Sequence, residues 1–171
     1  MTAPGSGAIR VAWGFDAHRL GGDPPVVLGG VRVAEHVGVL ATSDGDVAAH
    51  AVADAVLGAA ALGDLGTYFP SGDPAWGDAD SLDLLRRVVA LAAGVGVAPS
   101  FADVTIVAEA IRVAPHRDAI RHGLARPLNL PMTAVSVKAT TTDGAGFLGR
   151  EEGLAAMAVV TATVTGDVRS E

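Results

Sequence analysis

Apolar residues along this chain fall into short runs divided by turn formers, and the spacing within each run predicts an element. Ile9 to Asp16 reads as a strand, ended by the Gly- and Pro-rich turn Gly21 to Pro25. Val26 to Leu28 and Val31 to Val33 flank Gly29-Gly30, the pattern of a tight hairpin. Val47 to Leu62 is alanine-rich, apolar almost all round and broken only by Gly58, which predicts a buried helix. Its start is marked by Ser43-Asp44-Gly45-Asp46, whose side chains suit an N-cap. Gly63 to Trp76 reads as a long connection of the kind that is usually functional or mobile. Asp80-Ser81 caps a second helix, Leu82 to about Ala93, and Pro115 opens a third that runs to about Ala125. Val104 to Ala108 and Ala134 to Lys138 read as strands. In Gly153 to Val164 the alanines allow helix, but the β-branched second half decides for strand.

These elements make one α+β domain over residues 1–171, with a sheet and about three helices, and residues 1–8 as a frayed tail. No internal repeat or linker divides it. Aromatics are only 4% of the chain, so the core must be built from Ala, Val and Leu. There is no cysteine, so any metal must be held by His, Asp or Glu. A net charge of −7 argues against nucleic acid as a partner. No apolar run approaches the ~20 residues that a membrane span needs, and a cytoplasmic protein is the default expectation.

The chemistry-bearing residues form two groups. Asp16 and His18, two apart on a strand, share a face and can converge on one ion, although a solvated strand end has the same pattern. His50 lies within the apolar helix, where an imidazole needs a partner. Asp46 and Asp54 flank it one turn away on either side. Asp16, His18 and His50 together would give three ligands and one vacant position, the requirement of a catalytic zinc site. The second group is Lys138-Ala139-Thr140-Thr141-Thr142-Asp143, whose hydroxyls and carboxylate suit phosphate oxygens and a hard cation such as Mg2+. A polar loop closing a strand has the same composition. Glu151-Glu152 reads as a solvated charged run, and His36, His116 and His122 as structural or exposed.

GFDAHRL, SDGDVAAHAVADAVLGAAALGDLG, the FP-x-x-DP loop and KATTTDGAGFLGREEGLAA occur in this order over about Ile9 to Val164. The pattern resembles the 2-C-methyl-D-erythritol 2,4-cyclodiphosphate synthase family. The resemblance implies a mixed sheet covered on one face by about three helices, with the sheets facing the inside of a homotrimer and active sites between subunits. It implies cyclisation of 4-diphosphocytidyl-2-C-methyl-D-erythritol 2-phosphate with release of CMP, a step of non-mevalonate isoprenoid synthesis. A divalent metal, usually zinc, would sit on Asp16, His18 and His50, and Mg2+ or Mn2+ on Asp143. Asp64, Leu65, Gly66, Phe69 and Asp73 would hold the substrate on the sugar side, and Ser43 would also bind substrate. Ala108, Ala110, Ile111, Arg112, Val113 and Ala114, with Thr140 and Thr142, would line the cytidine and diphosphate side. Thr42 and Thr141 would serve catalysis at the phosphates, and Phe147 and Arg150 would lie near the substrate and the trimer channel.

The chain departs from that pattern at Thr42 (commonly His), Ser71 (an acid), Ile111 (Pro), Asp143 (Glu) and Glu151 (a small residue, here able to pair with Arg150). Two dications would offset the substrate's charge and reconcile an acidic protein with a phosphorylated ligand. A metal-dependent phosphohydrolase and a diverged, weakly active trimer that binds metal and nucleotide are the other readings.

Overall fold

The computed structural model describes residues 8–165. The first strand, β1 (Ala8–Gly22), is far longer than its apolar run predicts, and Asp16 and His18 lie inside it, not at its end. The reason is tertiary: β7 (Gly153–Val164) pairs antiparallel with β1 from Ala8 to Arg19, and a ladder of that length carries the strand across residues with no β-pattern of their own. The expected tail over residues 1–8 falls outside the described residues except for Ala8, which opens β1.

After β1 come the predicted hairpin, β2 (Val26–Leu28) and β3 (Val31–Ala34), and an unpredicted short strand, β4 (Gly38–Leu40). The long helix α1 (Val47–Ala60) follows, then a single turn, α2 (Leu65–Tyr68), and a 3-10 turn at Pro74–Trp76 inside the segment expected to be irregular. Helix α3 (Ser81–Gly94) leads into β5 (Val97–Val107), which begins seven residues before the predicted Val104 because it is paired with β7 from Val97 onward. Pro115 belongs to a 3-10 turn just ahead of α4 (Arg117–Leu128), and β6 (Val135–Thr140), the one-turn α5 (Gly146–Gly149) and β7 complete the chain.

The main sheet has the order β4-β1-β7-β5-β6, with β5 and β6 parallel and the other pairs antiparallel, so it is mixed as expected. The helices α1, α3 and α4 cover one face; α1 lies on β1 and β7, and α4 on β6. Even-numbered positions of β1 face α1, and odd-numbered ones form the other face. That open face is apolar along its middle: Ile9, Val11, Trp13 and Phe15 of β1 and Met157 and Val159 of β7 are exposed, Trp13 at 66%.

Gly14 decides how closely α1 approaches. A Cβ at this position would lie 2.1 Å from the Ala51 carbonyl oxygen and 2.7 Å from the Ala55 nitrogen. The bare backbone lets the alanine side of α1 rest directly on the strand two residues before Asp16. Replacing Gly14 with Ala should therefore lower unfolding stability by about 3 kcal/mol through overpacking, measured by urea denaturation; an unchanged midpoint would show that the contact is not tight.

Candidate active site

Asp46 starts α1. Its carboxylate accepts the N–H groups of Ala48 and Ala49 at 3.1 and 3.0 Å and that of Gly30 at 2.8 Å, so it caps the helix and ties it to the hairpin. Complete burial outweighs the lowering effect of those donors and pushes this carboxyl up to about 6. Asp46 thus serves the backbone and is not a side-chain partner for His50, although its spacing suggested one.

One turn into α1, His50 reaches β1. Its Nδ1 is 2.9 Å from Asp16 Oδ2 and 3.3 Å from His18 Nε2, and His18 Nε2 is 3.0 Å from the same carboxylate oxygen. Burial alone would depress the His50 imidazole, but the hydrogen bond and charge of Asp16, with Asp46 and Asp44 behind, raise it. Burial likewise would raise Asp16, yet the hydrogen bonds and charges of His18 and His50 hold it far below the usual carboxylate range. Three electron-pair donors crowd one point, an arrangement that a shared proton or a bound cation relieves.

The other side of the His50 ring bears on which nitrogen carries its proton. Nε2 is 2.9 Å from Ser81 Oγ, and Ser81 in turn hydrogen-bonds the Asp44 carboxylate through its hydroxyl. With the serine proton directed to Asp44, Nε2–H donates to Ser81, and Nδ1 is left with its lone pair toward Asp16 and His18. Ligands bound to zinc at 2.0–2.1 Å lie about 3.3 Å from one another, close to the spacing found here. The three donor atoms all lie within 4.8 Å of one another. Asp16, His18 and His50 therefore form a group that could hold a metal ion.

This group forms one wall of a cleft of about 580 Å³. Thr42 and Ser43 line it from the β4–α1 loop, and Asp64, Leu65, Gly66 and Phe69 from the far side. Ser43 Oγ is 3.3 Å from His50 Nε2. Thr42 donates its hydroxyl to the Ser71 carbonyl at 3.2 Å, joining two of the positions where the chain departs from the family pattern. Asp73 does not line the cleft; its carboxylate accepts the Ala75 N–H and starts the 3-10 turn. Asp54, a site residue that the spacing from His50 hinted at, accepts the Leu65 N–H at 2.7 Å, and its half-burial raises the carboxyl. Ser81 was also missed: its cap position in sequence carries no sign that it backs His50.

The remaining predicted residues form a second group, away from this cleft. Ala108–Ala114 and Thr140–Asp143 sit where the parallel strands β5 and β6 end, joined by the Ala108 N–H donating to the Thr140 carbonyl. Ala108, Ile111 and Val113 turn their side chains into the core, while Ala110, Arg112 and Ala114 are exposed. Glu109, which the sequence reading passed over, accepts the N–H groups of Thr142 and Gly144 at 2.8 and 3.3 Å, and these donors lower its carboxyl. It shapes a turn in which Asp143 takes a left-handed φ of 51°. The Asp143 carboxylate is exposed and takes one hydrogen bond, from Thr141. A single carboxylate of this kind suits Mg2+, which keeps waters and substrate phosphates as its other ligands. Phe147 is exposed, and Arg150 pairs with Glu152 at 2.7 Å, not with Glu151 as expected. Glu151 is exposed at a left-handed φ of 59°, which turns it aside.

The sequence profile of the YgbB family matches residues 9–163. The chain belongs to the YgbB family. It is 54% identical over 153 residues to the 2-C-methyl-D-erythritol 2,4-cyclodiphosphate synthase of Salinibacter ruber, covering 90% of this chain and 98% of that protein. Among solved structures it is similar to the bifunctional IspDF of Campylobacter jejuni, with a TM-score of 0.90 and 35% identity. That match covers 96% of this chain and 44% of the Campylobacter chain, so the chain spans under half of that protein. It is also similar to IspF of Plasmodium falciparum in complex with CDP, with a TM-score of 0.80, 26% identity, and 94% and 99% of the two chains covered.

Metal binding should depend on all three donors. We expect His50→Ala to lose bound Zn2+ by elemental analysis while keeping its fold; retention of the metal would refute the assigned group. Because the imidazole must be free of its proton to bind an ion, and Asp16 raises that proton's affinity, Zn2+ uptake should weaken with falling pH from above the ordinary His value of about 6.5, followed by calorimetric titration.

Proposed function

We propose that this protein converts 4-diphosphocytidyl-2-C-methyl-D-erythritol 2-phosphate to 2-C-methyl-D-erythritol 2,4-cyclodiphosphate and CMP, a cytoplasmic step of non-mevalonate isoprenoid synthesis. The observation that carries this reading is the convergence of Asp16, His18 and His50 on a cleft in a chain of this family. The name shared by the curated relatives and the CDP bound to a structural relative support the substrate class.

In this reaction the 2-phosphate oxygen attacks the β-phosphorus of the same molecule, and the bond from that phosphorus to the CMP oxygen breaks, its electron pair leaving with CMP. No nucleophile from the protein is required, so the chain's task is alignment and charge neutralisation. Divalent ions, Zn2+ on Asp16, His18 and His50 and Mg2+ or Mn2+ on Asp143, supply positive charge and Lewis acidity beside the phosphates. Asp64 and the backbone of Leu65 and Gly66 hold the polyol, with Phe69 as an apolar wall. Asp54 keeps the Leu65 peptide in place. On the nucleotide side, the Ala108–Ala114 backbone with the hydroxyls of Thr140, Thr141 and Thr142 receives the cytidine and diphosphate. Phe147 and Arg150 lie at the end of that half. Thr42 and Ser43 border the reacting phosphates; because the Thr42 proton is engaged by Ser71, it offers the phosphates only a weak donor.

The two groups of residues do not line one cleft within a single chain, and this supports an active site completed by a second subunit. The apolar open face of the sheet supports the same assembly. A homotrimer with the sheets innermost would bury Ile9, Val11, Trp13 and Phe15, residues that a monomer leaves exposed. Trp13→Glu should therefore shift the protein from trimer to monomer in sedimentation velocity and abolish turnover; a trimer that persists would argue against this interface. For the reaction, purified protein with the cytidyl substrate, Zn2+ and Mg2+ should release CMP and cyclic diphosphate in equal amounts by chromatography. Linear hydrolysis products, or binding without turnover, would overturn the assignment.

A further inference from the structure

The segment that closes the cleft opposite the metal-ligand group is short of burial: no residue of α2 or of the 3-10 turn at Pro74–Trp76 is buried. Its order must come from specific contacts. Two of them are aromatic. Phe69 packs edge-on against Trp76, with ring centroids 4.9 Å apart and planes at 87°. The Arg87 guanidinium of α3 lies over the Trp76 ring, 5.5 Å from its centroid. Both Phe69 and Trp76 line the cleft. Phe69 also lines a groove behind it, together with Tyr68, Leu91 and Arg87, so this wall is one side chain thick.

Arg87 is free for this contact. Its neighbour Arg86 pairs with Asp83, whereas Arg87 makes no ion pair or hydrogen bond among the described residues. A planar, weakly hydrated guanidinium on the most electron-rich ring available is a favourable arrangement that an ammonium reproduces less well.

We propose that Arg87 is a positioning residue for the methylerythritol end of the substrate: it holds Trp76, and through Trp76 the Phe69 wall, against the cleft. The proposal rests on the function proposed above, since it assigns the polyol to this wall and the nucleotide to the other group of residues. Arg87 touches neither the metal-ligand group nor the cleft itself, so its effect must travel through the Trp76 ring.

The test compares wild type, Arg87→Ala, Trp76→Ala and the double variant, with KM and kcat for the cytidyl substrate and Kd for CDP, which lacks the polyol. Arg87→Ala should raise KM about three- to fivefold, leave kcat within about twofold, and leave CDP affinity unchanged. Arg87→Lys should recover part of the loss. In the Trp76→Ala background the Arg87 substitution should have no further effect, because its route to the cleft is gone. An unchanged KM in Arg87→Ala, an equal loss of CDP affinity, or an undiminished effect without Trp76 would each overturn the proposal. Wild type that binds CDP but does not turn over the cytidyl substrate would instead overturn the reaction assigned above, and with it the ligand assigned to this wall.

Discussion

The backbone of α1 lies directly on Gly14 of β1, and the cleft's chemistry depends on that contact. His50 is on the helix, Asp16 and His18 on the strand, and the donor atoms meet only because no Cβ stands between the two elements. The alanines of α1 serve the same purpose from the other side. Ala48, Ala51 and Ala55 are fully buried, and Ala51 and Ala55 bring their backbone against Gly14. A core of larger side chains would contain more apolar surface but would hold the imidazole away from the strand.

Around this contact the chain spends carboxylates on structure. Asp46 caps α1 and pins the hairpin; Asp44 orients Ser81, which orients His50; Asp54 fixes the Leu65 peptide; Glu109 shapes the Thr142–Gly144 turn. Part of the protein's acidity is thus a scaffold of acceptors for backbone N–H groups and hydroxyls. Glu35, Asp83, Asp103, Asp118 and Glu152 pair with arginine or lysine, and Asp16 and Asp143 are the carboxylates proposed to meet metal ions. Under the proposed reaction an acidic chain and a phosphorylated ligand are compatible, because the positive charge would arrive with the ions.

The two ends of the proposed substrate are served by different architecture. The polyol side is a loop, Asp64 to Trp76, stiffened by caps and aromatic packing. The nucleotide side is built where two parallel strands end, and backbone groups there are held by the sheet. The division underlies the proposal that the Arg87–Trp76 contact serves one end and not the other. It also explains why a single chain shows two partial sites, each complete in its own local contacts.

Much of this was readable from residue order. The α1 helix and its acidic cap, the hairpin at Gly29-Gly30 and the closing strand all follow from local patterns, because apolar period and cap chemistry act over a few residues. The Asp16–His18 pair and His50 were legible as candidates for the same reason. What local pattern could not supply was length set by pairing: β1 and β5 extend over unpatterned residues because β7 hydrogen-bonds to both. Nor could it place Ser81 behind His50, turn Arg150 to Glu152 instead of Glu151, or set Arg87 over Trp76. The Ser81 and Arg87 contacts join residues far apart in sequence and are set by tertiary packing, whereas Arg150 turns to Glu152 at the left-handed φ of Glu151. The sequence named the donors; the close approach of helix and strand at Gly14 made them one site.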